Sequence, residues 1–508
     1  MKKIIAVVLS VLMLSGLMVP VLAAHEDCDC GFDPVIYVAA LGSATIYENP
    51  GTENERALFR PDTMALVGEA VKTVVPALPS LMLGDYDTFG DALIGFVNDA
   101  FGALALDGDG NSRENVYAPV EVPTDAAHGI EHSFYFGYDF RLDPYEHADR
   151  LHETIKTIKD LTGHNRVQLK ASSMGGVVTM AYIERYGTKD ISTVIFQNCP
   201  IQGTAVAGEL FCGKVEINKD ALLNYALDAI PSLEQDFLQG FLYTLATSLD
   251  DIGVWSLLVK FADKLILELK DRVYEEALIP IFGSLPGIWS FVPHEYYEAA
   301  KQIMVNPETQ SGLIEKIDAY HYNVQVNAAE ILREANNDIN IYILAGYDMQ
   351  RTPLVSAYKN TSDGTVDTTY ASVGAVTAPI DSTLPEGYVQ KVEDGHNHIS
   401  PDMKIDASTC ALPEQTWFVK DMLHCTTHDG HGTFYELMLT SKIQFTVDTF
   451  EVYPQFMQNN IPEKTFNIIV DHTPAEVFKA QPNFTNFAIM MRSYIDDIKD
   501  SLVNFGKE

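Results

Sequence analysis

Short apolar runs separated by longer amphipathic stretches dominate the chain. The clearest runs are rich in β-branched residues and end in small or turn-forming residues, which is typical of buried strands. They lie at residues 34–40, 166–171, 192–197, 340–345 and 416–420. Helical apolar spacing follows several of them. Strands that alternate with helices predict a mostly parallel central sheet covered on both faces, and therefore an α/β fold.

Between residues 205 and 335 the pattern changes to apolar residues at helical spacing, without strand signals. The stretches 222–249 and 252–274 show this spacing over the greatest length. Packing into a core would explain most of these residues, but a cap over an apolar substrate has the same composition. We therefore predict an inserted helical cap, with residues 282–291 as its substrate-facing rim.

This insertion divides the chain into regions. Residues 25–204 and 336–432 are predicted to form the two parts of one core, and residues 433–508 form an extension with mixed signals and no assigned role. Residues 1–24 have the features of a cleaved signal peptide, because two lysines precede an apolar run that ends in small residues. We therefore expect a secreted protein. An uncleaved membrane anchor is the alternative, since the run has the length of a short membrane span.

Composition narrows the set of partners. The formal net charge of −36 at pH 7 would repel phosphate backbones, so no nucleic-acid partner is expected. An acidic surface keeps an exported protein soluble, and attraction of Ca²⁺ is the alternative.

Residues 107–111, Asp-Gly-Asp-Gly-Asn, carry the alternating oxygen ligands of a calcium loop. Position twelve is Ala118 rather than the glutamate that such a loop needs, so an exposed turn is expected there.

The six cysteines form an even set in a chain expected to be exported, where disulfides persist. Their order suggests the local pairs Cys28–Cys30, Cys199–Cys212 and Cys410–Cys425, although six cysteines allow 15 pairings. Their spacing does not match that of a zinc finger, and no metal or cofactor is predicted.

Ala171-Ser172-Ser173-Met174-Gly175 matches the nucleophile-elbow pattern G-x-S-x-G, with alanine in the first position. Small residues are needed two positions before and after the serine because neighbouring backbone passes close by. An apolar strand precedes the motif and a helical pattern follows it, so Ser173 rather than Ser172 is the predicted nucleophile. The backbone N–H groups of Met174 and Leu41 are the predicted oxyanion donors, one following the nucleophile and one following an early strand.

In this arrangement the acid follows the nucleophile along the chain and the histidine follows the acid. Asp363, in an Asp-Gly turn beyond the run 340–345, is the predicted acid, with Asp367 as its rival. His424 is the predicted base because it comes soon after the β-rich run 416–420. His396, His398 and His428 are its competitors. His424, His428 and His431 also allow reading as a metal site, but their flexible spacers favour a solvated loop.

The order of these motifs resembles that of the lecithin:cholesterol acyltransferase and lysosomal phospholipase A2 group of α/β hydrolases. The resemblance covers about residues 33–430 and is carried by six segments: the strand and loop at 34–43, Tyr138-Asp139-Phe140-Arg141-Leu142 with Pro144, residues 173–176, 199–204 and 363–366, and the strand before His424. The chain departs from that group with Ala171 for glycine, Ser172 for histidine, Ala39-Ala40 for Pro-Gly and Phe140 for tryptophan. The region of the cap is only weakly similar.

Residues and resemblance together predict a secreted serine ester hydrolase of the α/β-hydrolase fold. It would cleave acyl esters of lipids through a Ser–His–Asp triad, with brief contact to a lipid surface through the cap. A soluble carboxylesterase for short esters is the first alternative. An inactive binding protein with the same fold is the second.

Overall fold

The computed structural model describes residues 28, 30–59, 69, 72–77, 80–81, 83–119, 121–216, 218, 221, 254–351, 353–425, 432–460 and 463–469. The predicted signal peptide at 1–24 and the stretch 222–249 lie outside them. No helix among the described residues is both long and apolar enough to cross a membrane.

An eight-stranded sheet forms the centre of the molecule. Its strands are β1 (Val35–Val38), β5 (Ser133–Phe136), β6 (Val167–Ser172), β7 (Ile191–Gln197), β8 (Asn340–Tyr347), β11 (Thr416–Lys420), β12 (Phe456–Asn460) and β13 (Thr465–Ile468). Their spatial order is β13-β12-β11-β8-β7-β6-β1-β5, and every neighbouring pair is parallel except β12 with β13. The predicted α/β class with a mostly parallel sheet is therefore confirmed.

Two small antiparallel sheets lie beside the central one. The first joins β2 (Ile46–Glu48) to β3 (Arg56–Phe59) and β4 (Val116–Tyr117), and the second pairs β9 (Val376–Thr377) with β10 (Ile405–Asp406).

Both faces of the central sheet are buried, which explains why its strands read as continuous apolar runs. On β8, Ile341 and Ile343 pack into one hydrophobic cluster, whereas Tyr342 and Leu344 pack into another on the opposite face. This is the alternation that a pleated strand imposes. The central helices are Pro144–Thr162 and Met174–Tyr186, which supply the first cluster, and Gly432–Thr440, which supplies the second.

The described part of 205–335 contains helices and no strands. Its α-helices are Ala205–Phe211, Val254–Val273, Ile279–Ile281, Pro286–Trp289, His294–Met304, Ser311–Tyr320 and Ala328–Ala335. Several share a hydrophobic cluster of their own, with Trp289 and Tyr297 buried at its centre. Two further α-helices are Tyr86–Phe101 and the single turn Thr368–Ala371.

The described part of the region after residue 432 adds to the central sheet. Its strands β12 and β13 extend the sheet beyond β11, and Phe434, Met438 and Met457 belong to the cluster that covers one face. This region therefore contributes to the core, at least as far as residue 469.

The predicted disulfide pairs are wrong in this structure, because all six cysteines are free. Cys199 is buried at the end of β7 beside Gly176, whereas the Sγ atom of Cys212 faces the Tyr296 carbonyl. Cys410 is buried in a separate hydrophobic cluster, and Cys425 is exposed next to His424. Order along the chain does not determine distance in the fold, so Cys199 and Cys212 do not meet, and neither do Cys410 and Cys425. Cys28 and Cys30 do lie close together, but they are not bonded to each other.

Candidate active site

Ser173 occupies a tight turn between β6 and the helix Met174–Tyr186. Its backbone has φ 51° and ψ −123°, a left-handed conformation that a non-glycine residue adopts only under strain. The turn is held by the Ser173 N–H, which donates to the Gln197 carbonyl at 3.1 Å. The side chain is thereby presented at the carboxyl end of the sheet, where ligands of parallel α/β proteins bind.

Glycines are needed after Ser173 because backbone passes against the helix. A Cβ atom on Gly175 would lie 2.1 Å from the Val38 carbonyl oxygen, and one on Gly176 would lie 2.4 Å from the Cys199 Cβ. The start of this helix thus packs directly on the end of β1. This contact brings Met174, the first residue of the helix, close to the loop that follows β1.

His424 links Ser173 to Asp363. Its Nε2 atom lies 2.8 Å from the Ser173 Oγ atom, and its Nδ1 atom lies 2.7 Å from an Asp363 carboxylate oxygen. The His424 backbone N–H also donates to the Asp363 carbonyl at 2.7 Å. The structure therefore brings together the three predicted residues Ser173, Asp363 and His424 in one hydrogen-bonded chain.

Asp363 is fixed by the turn in which it lies. The backbone N–H groups of Thr365 and Val366 donate to one of its carboxylate oxygens, at 2.9 and 2.7 Å. The second oxygen is left to accept from His424. Gly364 has φ 91°, which a glycine adopts without strain. The Asp-Gly pair therefore serves both the turn and the orientation of the carboxylate.

The pKa of His424 reflects two opposing effects. Burial alone would lower it, but the Asp363 carboxylate and, to a smaller extent, the Cys425 thiol outweigh burial and raise the pKa of His424 well above 6.5. In a Ser–His–Asp arrangement, the carboxylate holds the Nδ1 proton and leaves the Nε2 lone pair facing the serine hydroxyl. His424 is thus oriented as an acceptor for the Ser173 proton.

The segment of Leu41, the second predicted oxyanion donor, is anchored from both sides. The Ser43 N–H closes a turn on the Ala40 carbonyl at 3.2 Å, and the Ala39 N–H donates to the Phe136 carbonyl at 3.1 Å. The hydroxyl of Tyr138 donates to the Ala39 carbonyl at 2.7 Å. Leu41 comes two residues after Ala39 in this anchored loop and exposes 38% of its surface.

The rest of the segment Tyr138-Asp139-Phe140-Arg141 is equally constrained. Arg141 forms a two-pronged ion pair with Asp139, at 2.9 and 2.6 Å, and both side chains are almost completely buried. The Arg141 guanidinium also donates to the Leu104 carbonyl and to the Ser112 hydroxyl. A buried charge pair needs such additional partners. Through Tyr138, this constrained segment holds the loop after β1 that carries Leu41.

The competing residues lie elsewhere. Asp367 is completely buried, where it pairs with Arg351 at 2.7 Å and accepts from the Ala205 N–H. His396 pairs with Asp448, and His398 is buried between Gln455 and Asp394. His428 and His431 lie outside the described residues, which leaves the alternative metal site at His424 without described partners.

An apolar cavity of about 340 Å³ opens beside the site. Leu41 from the loop after β1 and Thr365 from the Asp363 turn form its near end, and residues between Thr204 and Met304 form the rest. The larger apolar side chains among them are Leu210, Phe211, Leu278, Phe282, Ile288 and Phe291. The predicted rim at 282–291 therefore contributes three of them.

The residues 107–111 form a hydrogen-bonded turn. The Asp107 carboxylate accepts from the N–H groups of Asp109 and Asn111, at 3.0 and 2.8 Å. The Asn111 side-chain oxygen accepts from the Lys316 ammonium at 2.6 Å. These oxygens are engaged by the protein itself, in agreement with the exposed turn that the sequence predicted.

Cys425 is the neighbour of the site that the sequence did not reveal. Its thiol lies close enough to His424 and Ser173 for both to affect its pKa. Although much of the Cys425 residue is exposed, its thiol is enclosed by neighbouring groups, which raises its pKa, but His424 outweighs that effect and lowers the pKa. The sequence assigned Cys425 to a bridge with Cys410, and its position directly after the predicted base was the only available signal.

Neither a family model nor a curated protein matches this sequence. Function is therefore inferred from the geometry of the site itself.

Proposed function

We propose that the protein is a secreted serine hydrolase of the α/β-hydrolase fold, with a helical cap, that cleaves carboxylic esters of lipids. The observation that carries this proposal is the hydrogen-bonded chain from Ser173 through His424 to Asp363. The strained turn at Ser173, between a central strand and a helix, supports it as the structural context that a nucleophile elbow requires.

In the proposed reaction, the Ser173 Oγ atom attacks the ester carbonyl carbon while His424 Nε2 accepts the hydroxyl proton. The backbone N–H groups of Met174 and Leu41 stabilise the negative charge on the carbonyl oxygen. His424 then returns the proton to the departing alcohol, which leaves an acyl group on Ser173. Water attacks this acyl-enzyme with His424 again as base, releasing the acid and restoring the serine. Asp363 stabilises the imidazolium in both steps.

The cavity supports a lipid acyl chain as part of the substrate. It is apolar, it begins at Leu41 and Thr365, and its volume of about 340 Å³ falls in the range of ligand pockets. An acyl chain inside it would leave its carbonyl carbon near Ser173. Leu83 and Leu267 expose 85% and 79% of their surface, which supports contact with a lipid surface beside the cap.

Hydrolysis of p-nitrophenyl esters with acyl chains of two to sixteen carbons tests this function. We expect turnover to rise toward longer chains and to fall by about 10⁴-fold or more in Ser173→Ala. Ser172→Ala is the matched control, since Ser172 lies at the end of β6 and is almost completely buried.

The same measurement separates the alternatives. If turnover instead declines steadily as the acyl chain becomes longer, the substrate would be a short ester rather than a lipid. Absence of Ser173-dependent turnover on every ester, with the protein folded, would refute hydrolysis and leave a binding protein.

A further inference from the structure

Four side chains with metal-binding atoms meet outside the proposed active site. They are Cys28, Cys30, His128 and His164, and one ligand atom from each lies within 4.8 Å of all the others. Two of the residues are separated by a single position, whereas the histidines lie about 100 and 134 positions further along the chain. Only the fold brings the four together.

The cluster lies where three neighbouring strands begin. Cys28 and Cys30 precede β1, His128 precedes β5, and His164 precedes β6, and these strands are adjacent in the order β6-β1-β5. The Cys28 N–H donates to the Gly163 carbonyl at 3.0 Å, next to His164. Ser173 follows the other end of β6, a strand of six residues that spans about 20 Å. The cluster is therefore remote from the hydrolytic site.

The distances between these atoms fit a tetrahedral zinc ion. Bonds of about 2.05 Å to nitrogen and 2.3 Å to sulfur at tetrahedral angles place two nitrogens about 3.3 Å apart, and a nitrogen and a sulfur about 3.5 Å apart. The two histidine Nε2 atoms are 3.1 Å apart. The separations from sulfur to Nε2 are 3.4 Å for Cys30 with His164, 3.5 Å for Cys30 with His128 and 3.7 Å for Cys28 with His128.

The outer nitrogens of both rings are held as they are in known metal sites. The His128 Nδ1 atom lies 2.8 Å from the Ala126 carbonyl oxygen, and the His164 Nδ1 atom lies 3.3 Å from an Asp33 carboxylate oxygen. Because a carbonyl oxygen can only accept, His128 carries its proton on Nδ1 and turns the Nε2 lone pair toward the cluster. A carboxylate or carbonyl behind each histidine ligand is the usual second-shell arrangement.

Two Nε2 atoms that face each other at 3.1 Å need something positive between them. A shared proton would satisfy the histidines alone, but it would leave two thiols in the same small volume without a reason to converge. A zinc ion satisfies all four groups, because two thiolates and two imidazoles are a complete donor set for Zn²⁺.

We propose that Cys28, Cys30, His128 and His164 form a structural Zn²⁺ site that ties the segment before β1 to the starts of β5 and β6. The four protein ligands fill the tetrahedron, so the ion has no open position for substrate and its role is structural. The cysteines bind as thiolates and release two protons to solvent. This inference does not depend on the proposed ester hydrolysis.

Metal content of the purified full-length protein tests the proposal. After dialysis against Zn²⁺ and then against buffer, we expect about one zinc ion per chain by mass spectrometry. The double variant Cys30→Ser/His164→Asn should lose it. The matched control is Cys212→Ser/His132→Asn, which changes one cysteine and one histidine outside the cluster and should keep one ion.

Cobalt gives a second readout that reports the ligands themselves. Co²⁺ bound in place of Zn²⁺ should show the thiolate charge-transfer band and the intense visible bands of a tetrahedral ion, in the wild type and in the control. Chelation of the wild-type ion should lower the melting temperature, since a ligand that binds only the folded state stabilises it.

Alkylation of the unreduced wild type tests whether Cys28 and Cys30 form a disulfide instead of binding zinc. Six alkylated cysteines after zinc removal, with one zinc before it, is the expected result. Any of three results would overturn the proposal. They are a wild type that retains no zinc, a Cys28–Cys30 disulfide in place of the ion, and a cluster variant that binds as much zinc as the control.

Discussion

The Nε2 atom of His424 lies 2.8 Å from the Ser173 hydroxyl, although 251 positions separate the two residues. Ser173 follows β6 and His424 follows β11, and β7 and β8 lie between these strands. The loop after β11 therefore passes across the carboxyl ends of β8 and β7 to bring His424 to Ser173. Hydrogen bonds from the backbone of Asp421 to Tyr347 and of His424 to Asp363 hold it in that position.

We predict that His424→Ala lowers ester turnover by about 10⁴-fold or more, because the Nε2 atom of His424 is positioned to accept the Ser173 proton. His396→Ala is the matched control and should stay near wild type, since His396 is half exposed and pairs with Asp448. Turnover of one soluble ester, with the melting temperature as a folding check, measures both. A collapse of the His396 variant beside an active His424 variant would reassign the base.

Substitution of Asp363 should mainly reduce turnover, whereas substitution of Asp367 should mainly reduce the stability of the fold. Asp363→Ala is predicted to remove most turnover with a modest loss of stability. Asp367→Ala should instead destabilise the fold by about 3–5 kcal/mol, because it leaves the fully buried Arg351 without its carboxylate. Urea unfolding and initial ester hydrolysis rates, measured on both variants, provide the comparison. Equal losses of stability with turnover lost only in the Asp367 variant would contradict the assignment.

Gly175 and Gly95 provide a matched pair for backbone packing. Gly175→Ala should destabilise the protein by about 1–3 kcal/mol or more, since the new Cβ would meet the Val38 carbonyl oxygen at 2.1 Å. Gly95 lies in the helix Tyr86–Phe101 with nothing within 4 Å of a new Cβ. Gly95→Ala should therefore stabilise by about 0.5–1 kcal/mol through helix propensity. Thermal unfolding that ranks the two variants the other way would refute this account of the helix start.

The sequence predicted the central strands correctly where a short apolar, β-branched run gave one clear pattern. The run 416–420 coincides with β11, and the run 192–197 differs from β7 by one residue. Three strands of the central sheet were not predicted. β5 is an edge strand with only two buried residues, and β12 is rich in polar amides, so neither gives the apolar signal of a central strand.

The candidate site was predictable for a related reason. Ser173, Asp363 and His424 each follow a strong strand signal in a fixed order along the chain, so a rule about order was enough. The cysteine pairs and the cluster at Cys28 and His164 depend instead on which strands become neighbours in the sheet. That information arises from long-range packing, which spacing along one sequence does not contain.

The last prediction concerns the pH dependence of Ser173 reactivity. His424 must be neutral at Nε2 to accept the serine proton, so reactivity should fall as the pH drops through the pKa of His424. Burial lowers that pKa but Asp363 more than compensates and raises it well above 6.5. The acid limb of the profile should therefore lie at higher pH than it would for an ordinary histidine.

Removing the carboxylate charge leaves burial as the main effect, so Asp363→Asn should move the limb to lower pH while also slowing the reaction. The rate at which a fluorophosphonate modifies Ser173, followed against pH in both proteins, measures the shift. Asp448→Asn is the control, because it removes an exposed carboxylate that pairs with another histidine, His396. A limb that stays in place in Asp363→Asn, or moves equally in Asp448→Asn, would show that Asp363 does not set the proton affinity of His424.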